Sequence, residues 1–208
     1  RFIGQGPEKS QKAGMWTITG NLIGSQRNNI HLTSARGFTI SGNYIYSGHY
    51  RNVLVENSRN IVLGDNTIGH NPDYGIKELA TGVRFVDSEN IVLNGVLIQD
   101  AGAGKHTVSG AGSLERDALV ELVRCKCVTM TGCQILDGTP TGLLLDNCED
   151  TMVANCTIMD RRAEPKTETG VLWKGNAPGN MFNNNRVSGA KKNVEAPKTV
   201  TQSGNVTT

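Results

Sequence analysis

Long hydrophobic runs are absent from this chain of 208 residues. No apolar stretch approaches the ~18 residues needed to span a bilayer, so membrane insertion is not expected. Blocks of like charge are absent too, and the formal net charge is only +2. That balance argues against a protein that recognises nucleic acid or a membrane surface by charge alone. No stretch combines a 3.6-residue apolar period with helix caps, which argues against a helical bundle.

Aromatic residues are also scarce, at 5% of the chain, whereas glycine is abundant with 25 residues and asparagine is frequent. Glycine and asparagine adopt positive φ angles at low cost, so this composition is typical of many short strands joined by tight turns. The chain opens with Arg1 and no signal peptide is visible, so removal of a targeting segment stays open.

A short pattern returns along the whole chain. Its clearest copies are FTISGNYI (Phe38 to Ile45), IVLGDNTI (Ile61 to Ile68) and VTMTGCQI (Val128 to Ile135). Each copy has apolar residues at the first, third and eighth places, and Asn or Cys at the sixth. Repeats with a period of about 20–50 residues are the sequence mark of a solenoid. The eight copies begin at Trp16, Phe38, Ile61, Ile91, Val128, Thr151, Asn180 and Val200.

A second apolar run with strict alternation precedes most copies. Each repeat is therefore predicted to form three short strands, because alternation places one side of every strand inward. A single repeat can bury almost nothing, so stacked columns of inward residues are expected to form the core. The columns begin at Ile30, Val53, Val83, Val120, Leu143 and Val171 in the first strands, and contain Ile23, Ile45, Ile68, Ile98, Ile135, Ile158 and Val187 in the third strands.

The sixth place of the pattern is Asn in five of the eight copies, which predicts a column at one corner of the solenoid. Asn takes the left-handed bend of a two-residue corner at low cost, and stacked Asn side chains can hydrogen-bond between repeats. Val96, Cys133 and Cys156 occupy the same place in the middle of the chain. The asparagines of the column are Asn21, Asn43, Asn66, Asn185 and Asn205.

This column, the short repeat and the three-strand rhythm resemble the right-handed parallel β-helix of the pectate-lyase-like superfamily. The resemblance covers roughly residues 14–207. It implies an all-β fold, a single-stranded right-handed parallel β-helix of about eight coils with three strands per coil and an Asn/Cys ladder at one corner. We expect one domain over residues 1–208, with 1–13 as an irregular cap or insertion, which can belong to a longer chain. An antiparallel sandwich would not repeat one column pattern eight times. A β-propeller would need blades of ~40 residues with four strands each, which the short repeats do not fit.

Three insertions interrupt the rhythm at the same place, after the third strand of a coil. They cover roughly residues 69–82, 99–119 and 159–170, and the second is long and rich in glycine. On neighbouring coils they would form one wall beside the sheet of first strands, a common place for function. The alternative is that they are tolerated surface insertions without a role, because loop length costs little.

The five cysteines cannot all pair, because their number is odd. Cys125 and Cys148 share one column, and Cys133 and Cys156 share another. In-register neighbours ~4.8 Å apart place their Cβ atoms slightly beyond disulfide spacing, so we expect stacked thiols without bonds. A zinc site is disfavoured because Cys125 and Cys127 lack the usual spacing and no histidine follows at finger distance.

Outward positions of the first strands carry charged residues. Glu56, Arg84 and Glu121 fall on consecutive coils, and similar β-helix lyases and hydrolases bind a sugar chain along this sheet. The resemblance implies that acidic groups act as acid and base or bind Ca²⁺, and that a cation faces the uronate. We therefore assign catalysis to Glu56, Arg84, Glu121 and Asp146, and substrate binding to His31, Lys105, His106 and Lys174.

A plainer interpretation of these residues stays open. A mixed Glu/Arg/Glu row is often a solvated ladder of ion pairs, each worth at most ~1 kcal/mol, and His31 and His106 are often ordinary surface histidines. The chain lacks the Asn-Thr-Asp, Asp-Asp, Gly-His-Gly and Arg-Ile-Lys motifs of polygalacturonases. It also lacks the Trp-Ile-Asp-His and Arg-x-Pro-x-x-Arg motifs of many pectate lyases. No metal ligands are assigned, although Ca²⁺ stays open as a cofactor.

The sequence therefore predicts a polysaccharide-processing β-helix, a lyase or glycoside hydrolase that acts on an acidic polysaccharide. Two alternatives are a non-catalytic carbohydrate-binding or cell-surface module and a trimeric fibre like a phage tailspike. Whether the chain is an enzyme is left undecided. The expected partner is a polysaccharide and not a nucleic acid, and the expected location is secreted, periplasmic or on the cell surface. A binding module would present aromatic side chains, for which the candidates are Tyr44, Tyr46, Tyr50 and Tyr74.

Overall fold

The computed structural model describes residues 1–4, 14–71, 82–100, 107–108, 112–113 and 116–208. Within these ranges the chain forms strands and turns, and none of them contains a helix that could cross a membrane. Strands are numbered along the chain, and equivalent strands of successive repeats lie side by side. The result is a stack of coils with three faces, a parallel β-helix.

Each face is a parallel sheet of eight strands. Sheet A contains the first strands of the coils: β1 (Phe2–Ile3), β4 (Asn28–Thr33), β7 (Arg51–Glu56), β10 (Val83–Val86), β15 (Val120–Val123), β18 (Thr141–Asp146), β21 (Thr169–Lys174) and β24 (Lys192–Glu195). Sheet B contains the second strands: β2 (Gly14–Thr19), β5 (Arg36–Ser41), β8 (Arg59–Gly64), β11 (Glu89–Asn94), β16 (Lys126–Thr131), β19 (Glu149–Ala154), β22 (Met181–Asn183) and β25 (Thr201–Ser203). Sheet C contains the third strands: β3 (Leu22–Gly24), β6 (Tyr44–Tyr46), β9 (Thr67–Gly69), β12 (Leu97–Gln99), β17 (Gln134–Leu136), β20 (Thr157–Met159), β23 (Arg186–Ser188) and β26 (Val206–Thr207). An antiparallel pair, β13 (Thr107–Val108) and β14 (Gly112–Ser113), lies in the second insertion.

Alternation within each strand points one row of side chains into the stack. In β5, Phe38 and Ile40 are buried and Thr39 between them is exposed, as a period of two requires. Phe38 lies in register with Ile61 of β8, which in turn lies in register with Ile91 of β11. The repeat places identified in the sequence are therefore columns of the core, and the predicted β-helix is confirmed.

The core is one continuous apolar cluster that runs through the stack. Inward residues of the first strands, such as Val53 and Leu143, have no exposed surface. Burial of one such side chain contributes roughly 1.5–3 kcal/mol, and each coil depends on its neighbours for that burial. Burial is less complete in the first and last described coils, where Trp16 is 51% exposed and the polar residues Gln202 and Thr207 are exposed.

Asparagines form a hydrogen-bonded ladder at the corner between sheets B and C. Asn43 donates from its side-chain amide and from its backbone N–H to Asn66 Oδ1, both at 3.0 Å. Asn21 makes the same pair of bonds to Asn43, and Asn185 makes it to Asn205. Each asparagine thus satisfies polar groups of the coil before it, which confirms the predicted column and fixes the register of the coils.

The left-handed bend at this corner lies one place earlier than expected. Positive φ angles occur at the fifth place of the repeat, for example 65° at Gly42 and 51° at Asp65, whereas Asn43 and Asn66 do not have them. The expectation that the column asparagines take the bend is therefore wrong. Their side chains point inward to form the ladder, so the residue before each of them makes the turn.

Replacing Asn66 by Leu should remove one rung of the ladder and destabilise the fold by about 1–3 kcal/mol. The substitution leaves the backbone N–H of Asn43 without its acceptor and the Ile40 carbonyl without its donor. Urea unfolding measures the loss. Asn21 is the exposed end rung, and no described residue donates to its side chain, so Asn21→Leu should cost less than about 1 kcal/mol. Equal losses in the two variants would contradict a stabilising role for the ladder.

All three insertions leave the stack at the corner between sheets C and A, as predicted. They follow β9, β12 and β20 respectively. Residues 72–81, with Tyr74, and most of 101–115 lie outside the described residues, whereas 159–170 is described. The expected wall beside sheet A can therefore be followed in full only at its third member.

Candidate functional site

The outward side chains of sheet A form two rows, in which neighbours are one coil, about 4.8 Å, apart. Row 1 contains His31, Leu54, Arg84, Glu121, Leu144 and Leu172. Row 2, two residues later in each strand, contains Thr33, Glu56, Val86, Val123, Asp146 and Lys174. The side chains predicted to be catalytic are therefore divided. Arg84 and Glu121 lie in row 1, whereas Glu56 and Asp146 lie in row 2.

Glu121 lies at the centre of a buried cluster of charges. Its Oε2 accepts hydrogen bonds from Nε and Nη2 of Arg51 at 3.3 and 2.9 Å. Its Oε1 lies 3.1 Å from Arg84 Nη1 and accepts a bond from the backbone N–H of Asp117 at 3.0 Å. The side chains of Arg51 and Glu121 are 1% and 0% exposed, so these charges neutralise one another away from water.

This burial changes what Glu121 can do. The sequence predicted that its carboxylate lies in an open cleft as a general base or a Ca²⁺ ligand. In the structure, both oxygens are engaged by arginines and a backbone N–H. A base must reach the proton that it removes, and Glu121 has no exposed surface from which to do so. In the structure Glu121 is an internal anchor that holds Arg51 and Arg84 in place.

Glu56 pairs with His31 of the preceding coil. Glu56 Oε2 lies 2.7 Å from His31 Nε2, and Thr33 Oγ1 lies 3.0 Å from the same nitrogen. Donation of Nε2–H to the carboxylate selects one imidazole tautomer and leaves Nδ1 as an acceptor. No described residue bonds to Nδ1. Solvent reaches this dyad, because the side chains of His31 and Glu56 are 14% and 43% exposed.

The dyad lies in a groove of about 510 Å³ on sheet A. Arg27 contributes a cation to the groove and Leu54 contributes an apolar surface. Asn28 also lines the groove, and its Oδ1 is buried without a hydrogen-bond partner among the described residues. A buried acceptor without a partner costs ~1–3 kcal/mol.

Tyr50 connects the groove to the buried cluster. It lines the groove, and the guanidinium carbon of Arg51 lies 4.6 Å from the centroid of its ring. Arg51 Nη1 also donates to the Tyr50 carbonyl at 2.9 Å. Because Glu121 holds Arg51, the buried cluster fixes the ring at the edge of the groove. Sequence reasoning missed Arg51.

Asp146 and Lys174 lie farther along row 2. They are in register on neighbouring coils, where Asp146 is half-buried and Lys174 is exposed. Asp146 Oδ1 accepts a hydrogen bond from the Asn147 side chain at 2.8 Å. Three coil spacings, about 14 Å, separate Asp146 from Glu56. The structure therefore does not bring Asp146 or Lys174 to the dyad.

Lys105 and His106, predicted to bind substrate, lie outside the residues that the structure describes. The described end of the same insertion carries Arg116, which forms a buried ion pair with Asp100. Arg116 Nε also donates to the Thr139 carbonyl at 2.9 Å. Burial lowers the pKa of Arg116, and the neighbouring Asp100 carboxylate opposes that shift. The bond to Thr139 ties the end of the insertion to the coil that follows it.

Aspartates form a column at the corner between sheets C and A. Asp100, Asp137 and Asp160 directly follow β12, β17 and β20, and each pairs with an arginine. Arg162 Nε donates to Asp160 Oδ1 at 2.7 Å, and the Thr167 N–H donates to Oδ2 at 2.9 Å. Burial raises the pKa of Asp160, but these hydrogen bonds outweigh it, so the pKa lies below its ordinary value. These ion pairs and hydrogen bonds hold the corner together, so we do not treat the column as a candidate site.

Comparisons with known proteins support the fold and leave the family open. Residues 9–81, about a third of the chain, match the model of the NosD family, described as periplasmic copper-binding proteins. A crystal structure from Parabacteroides merdae, described as a "putative glycosyl hydrolase", has a TM-score of 0.52 at 12% identity, covering 83% of this chain and 82% of that chain. Pectate lyase Pel9A has a TM-score of 0.41 at 10% identity, covering 94% of this chain and 56% of that chain. No curated protein sequence matches significantly.

These likenesses are of fold alone, so the chemistry must be argued from the residues present. The description of the NosD family names copper, and the sequence analysis kept Ca²⁺ as a candidate cofactor. In the described part of the chain, no group of three or more His, Cys, Asp or Glu side chains is arranged to hold a metal ion. No step below depends on a metal ion.

Proposed function

We propose that the chain is a lyase that binds an acidic polysaccharide in the groove on sheet A and cleaves it by β-elimination. The observation that carries the proposal is the dyad of His31 and Glu56, a base with its orienting carboxylate, in a groove that also contains Arg27. β-Elimination needs a base for the proton next to the uronate carboxylate, a cation for that carboxylate and a proton donor for the leaving oxygen. Each requirement has a candidate in or beside the groove.

His31 is the candidate base. Its Nδ1 would take the proton, and the imidazolium charge that forms would lie beside the Glu56 carboxylate, 2.7 Å from Nε2. The electron pair left on carbon forms a double bond as the bond to the leaving oxygen breaks. The Tyr50 hydroxyl, at the edge of the groove, is the candidate that returns a proton to that oxygen.

Arg84 and Arg27 are the candidates for the uronate carboxylate. In row 1 Arg84 lies two coils from His31, about 10 Å along the sheet, with Leu54 between them. A sugar over Leu54 would have the base on one side and the guanidinium on the other. The Arg84 side chain is 26% exposed while Glu121 holds one of its nitrogens. A fixed guanidinium binds a carboxylate through two parallel hydrogen bonds.

The spacing of the carboxylates favours a lyase over a glycoside hydrolase. A hydrolase uses two carboxyl groups about 5–9.5 Å apart. Among the described residues of the two rows, Glu121 is buried in its ion pairs, and Asp146 lies about 14 Å from Glu56. The third described carboxylate, Glu56, is left without a partner for that chemistry.

The proposed substrate implies a location where polysaccharides occur, so we place the protein in the periplasm, on the cell surface or outside the cell. The description of the NosD family as periplasmic supports an exported protein. Arg27 in the groove and the partly exposed Arg84 beside it set two cations against the Glu56 carboxylate, which favours an anionic polymer over a neutral one.

A panel of acidic and neutral polysaccharides tests the proposal. New unsaturated uronate ends, measured by ultraviolet absorbance, should appear with at least one acidic polymer and with no neutral one. New reducing ends without unsaturated products would replace the lyase by a hydrolase. Retention on an acidic polymer without any product would identify a binding module. A trimer in light scattering that neither binds nor cleaves would favour the fibre.

A further inference from the structure

Two pairs of cysteines join the same two coils at different corners. All five thiols are free, as predicted. Cys125 and Cys148 stack at the corner between sheets A and B, and Cys133 and Cys156 stack at the corner between sheets B and C. One member of each pair belongs to the coil of β15, β16 and β17, and the other belongs to the coil of β18, β19 and β20.

The cysteines stand where polar side chains bridge other coils. At the A–B corner, Ser58 Oγ accepts from the Ala35 N–H and Ser88 Oγ accepts from the Ser58 N–H, both at 3.0 Å. At the B–C corner, the asparagine ladder ends at Asn66 and resumes at Asn185. A thiol is a weak hydrogen-bonding group. The two cysteine coils therefore have sulfur in place of the stronger polar bridges at both corners.

The two thiols of each pair are buried at equivalent places of neighbouring coils. Cys148 donates to the Leu122 carbonyl of its partner's coil at 3.2 Å, so its sulfur points across the coil boundary. Cys125 donates to the Val123 carbonyl at 3.5 Å, and Cys156 donates to the Ala154 carbonyl at 3.2 Å. The neighbouring thiol lowers the pKa of Cys148 and of Cys133 although burial opposes the shift, and a lower pKa increases the share of thiolate, the reactive form.

We propose that Cys125 with Cys148, and Cys133 with Cys156, are the sites of two disulfide bonds that form when the chain meets a thiol–disulfide oxidant. For each bond, two thiols lose two protons and two electrons, and the S–S bond of the oxidant breaks to give two thiols. In-register neighbours have Cα atoms about 4.8 Å apart, within the ~4.4–6.8 Å that disulfides occupy. Their Cβ atoms lie slightly beyond disulfide distance at that spacing, so each bond requires the two corners to approach slightly. The proposal does not depend on the polysaccharide site.

Cys127 provides an internal reference. It is the exposed cysteine, and its register places it between Asn90 and Asp150 rather than beside another thiol. It should stay unpaired when the other four cysteines are oxidised.

The two bonds would clamp one coil to the next. Each bond would close a loop of 23 residues, which restricts the unfolded chain. Oxidation should therefore raise Tm by roughly 5–15 °C.

The test uses the full chain, purified under reducing conditions and then incubated with oxidised glutathione. After unfolding in an alkylating reagent, the reduced protein should take up five alkyl groups, one for each cysteine. The oxidised protein should take up at most one, at Cys127. Peptide mapping without reductant should find Cys125 joined to Cys148 and Cys133 joined to Cys156.

Two variants keep the corners packed while they remove one bond each. Cys125→Ser introduces the residue that Ser88 places in the same column, and Cys133→Val introduces the one that Val96 places there. Each variant should form the remaining bond and lose about half of the rise in Tm, and the double variant should show no rise. Uptake of five alkyl groups by the oxidised wild type, or a bond that includes Cys127, would overturn the proposal.

Discussion

Replacing Glu121 by Ala should lower the free energy of unfolding by about 3–5 kcal/mol. The substitution leaves the Arg51 guanidinium buried without its carboxylate and removes the partner of Arg84 as well. A buried charge without a partner carries the full cost of leaving water. In the wild type, the buried ion pair is screened by salt much less than an ion pair on the surface. Urea unfolding followed by circular dichroism measures the change.

Glu149→Ala is the matched control on the neighbouring coil. Its carboxylate lies 2.7 Å from Lys126 Nζ, but this pair lies on the surface, where ion pairs contribute ~0–1 kcal/mol. Glu121→Gln should lower the free energy of unfolding by less than Glu121→Ala and by more than Glu149→Ala, because the amide keeps an acceptor but not the charge. A Glu121→Ala variant no less stable than Glu149→Ala would show that the buried cluster does not anchor the fold.

The fold could be predicted because its determinants repeat along the chain. Phe38, Ile61 and Ile91 occupy the same place in three copies of the pattern, and they lie in register in the core. A parallel stack places equivalent residues directly above one another, so a column in the sequence is a column in space. The asparagine ladder followed from the same argument, since hydrogen bonds between identical side chains need only the coil spacing.

The bend at the ladder corner could not be assigned from residue type. Gly42 and Asn43 both tolerate positive φ, and so do Asp65 and Asn66. Composition therefore allows either residue of each pair to make the turn. Which residue makes the turn depends on which one forms hydrogen bonds to the next coil, and those contacts exist only in the assembled stack.

The candidate site was predictable only in part. Alternation placed Glu56 and Glu121 on the outward face of sheet A, but it cannot distinguish an exposed carboxylate from a buried one. The difference comes from Arg51, which lies 70 residues before Glu121 in the sequence. The pairing of Glu56 with His31 was equally hidden, because the two lie in different rows and meet diagonally across neighbouring coils.

Replacing His31 by Ala should remove most of the lyase activity that we propose, lowering kcat by about 10²–10⁴-fold. KM should change little, because the variant keeps Arg27, Leu54 and Tyr50 in the groove. The His31 side chain bonds to the side chains of Glu56 and Thr33 at the edge of the groove rather than to the core. Tm should therefore stay close to that of the wild type. Initial rates of unsaturated uronate formation on the active polymer measure the effect.

Two further variants separate a catalytic role from a general effect of losing a histidine. Glu56→Gln keeps a hydrogen-bonding side chain beside His31 but removes the charge that stabilises the imidazolium, so kcat should fall less than in His31→Ala. His49→Ala removes a histidine that does not line the groove, and its kcat should match the wild type. If His31→Ala turns over like the wild type while Arg84→Ala does not, the carboxylate-binding half of the proposal survives and the base must be another residue. Unchanged turnover in both variants would move the site away from this groove.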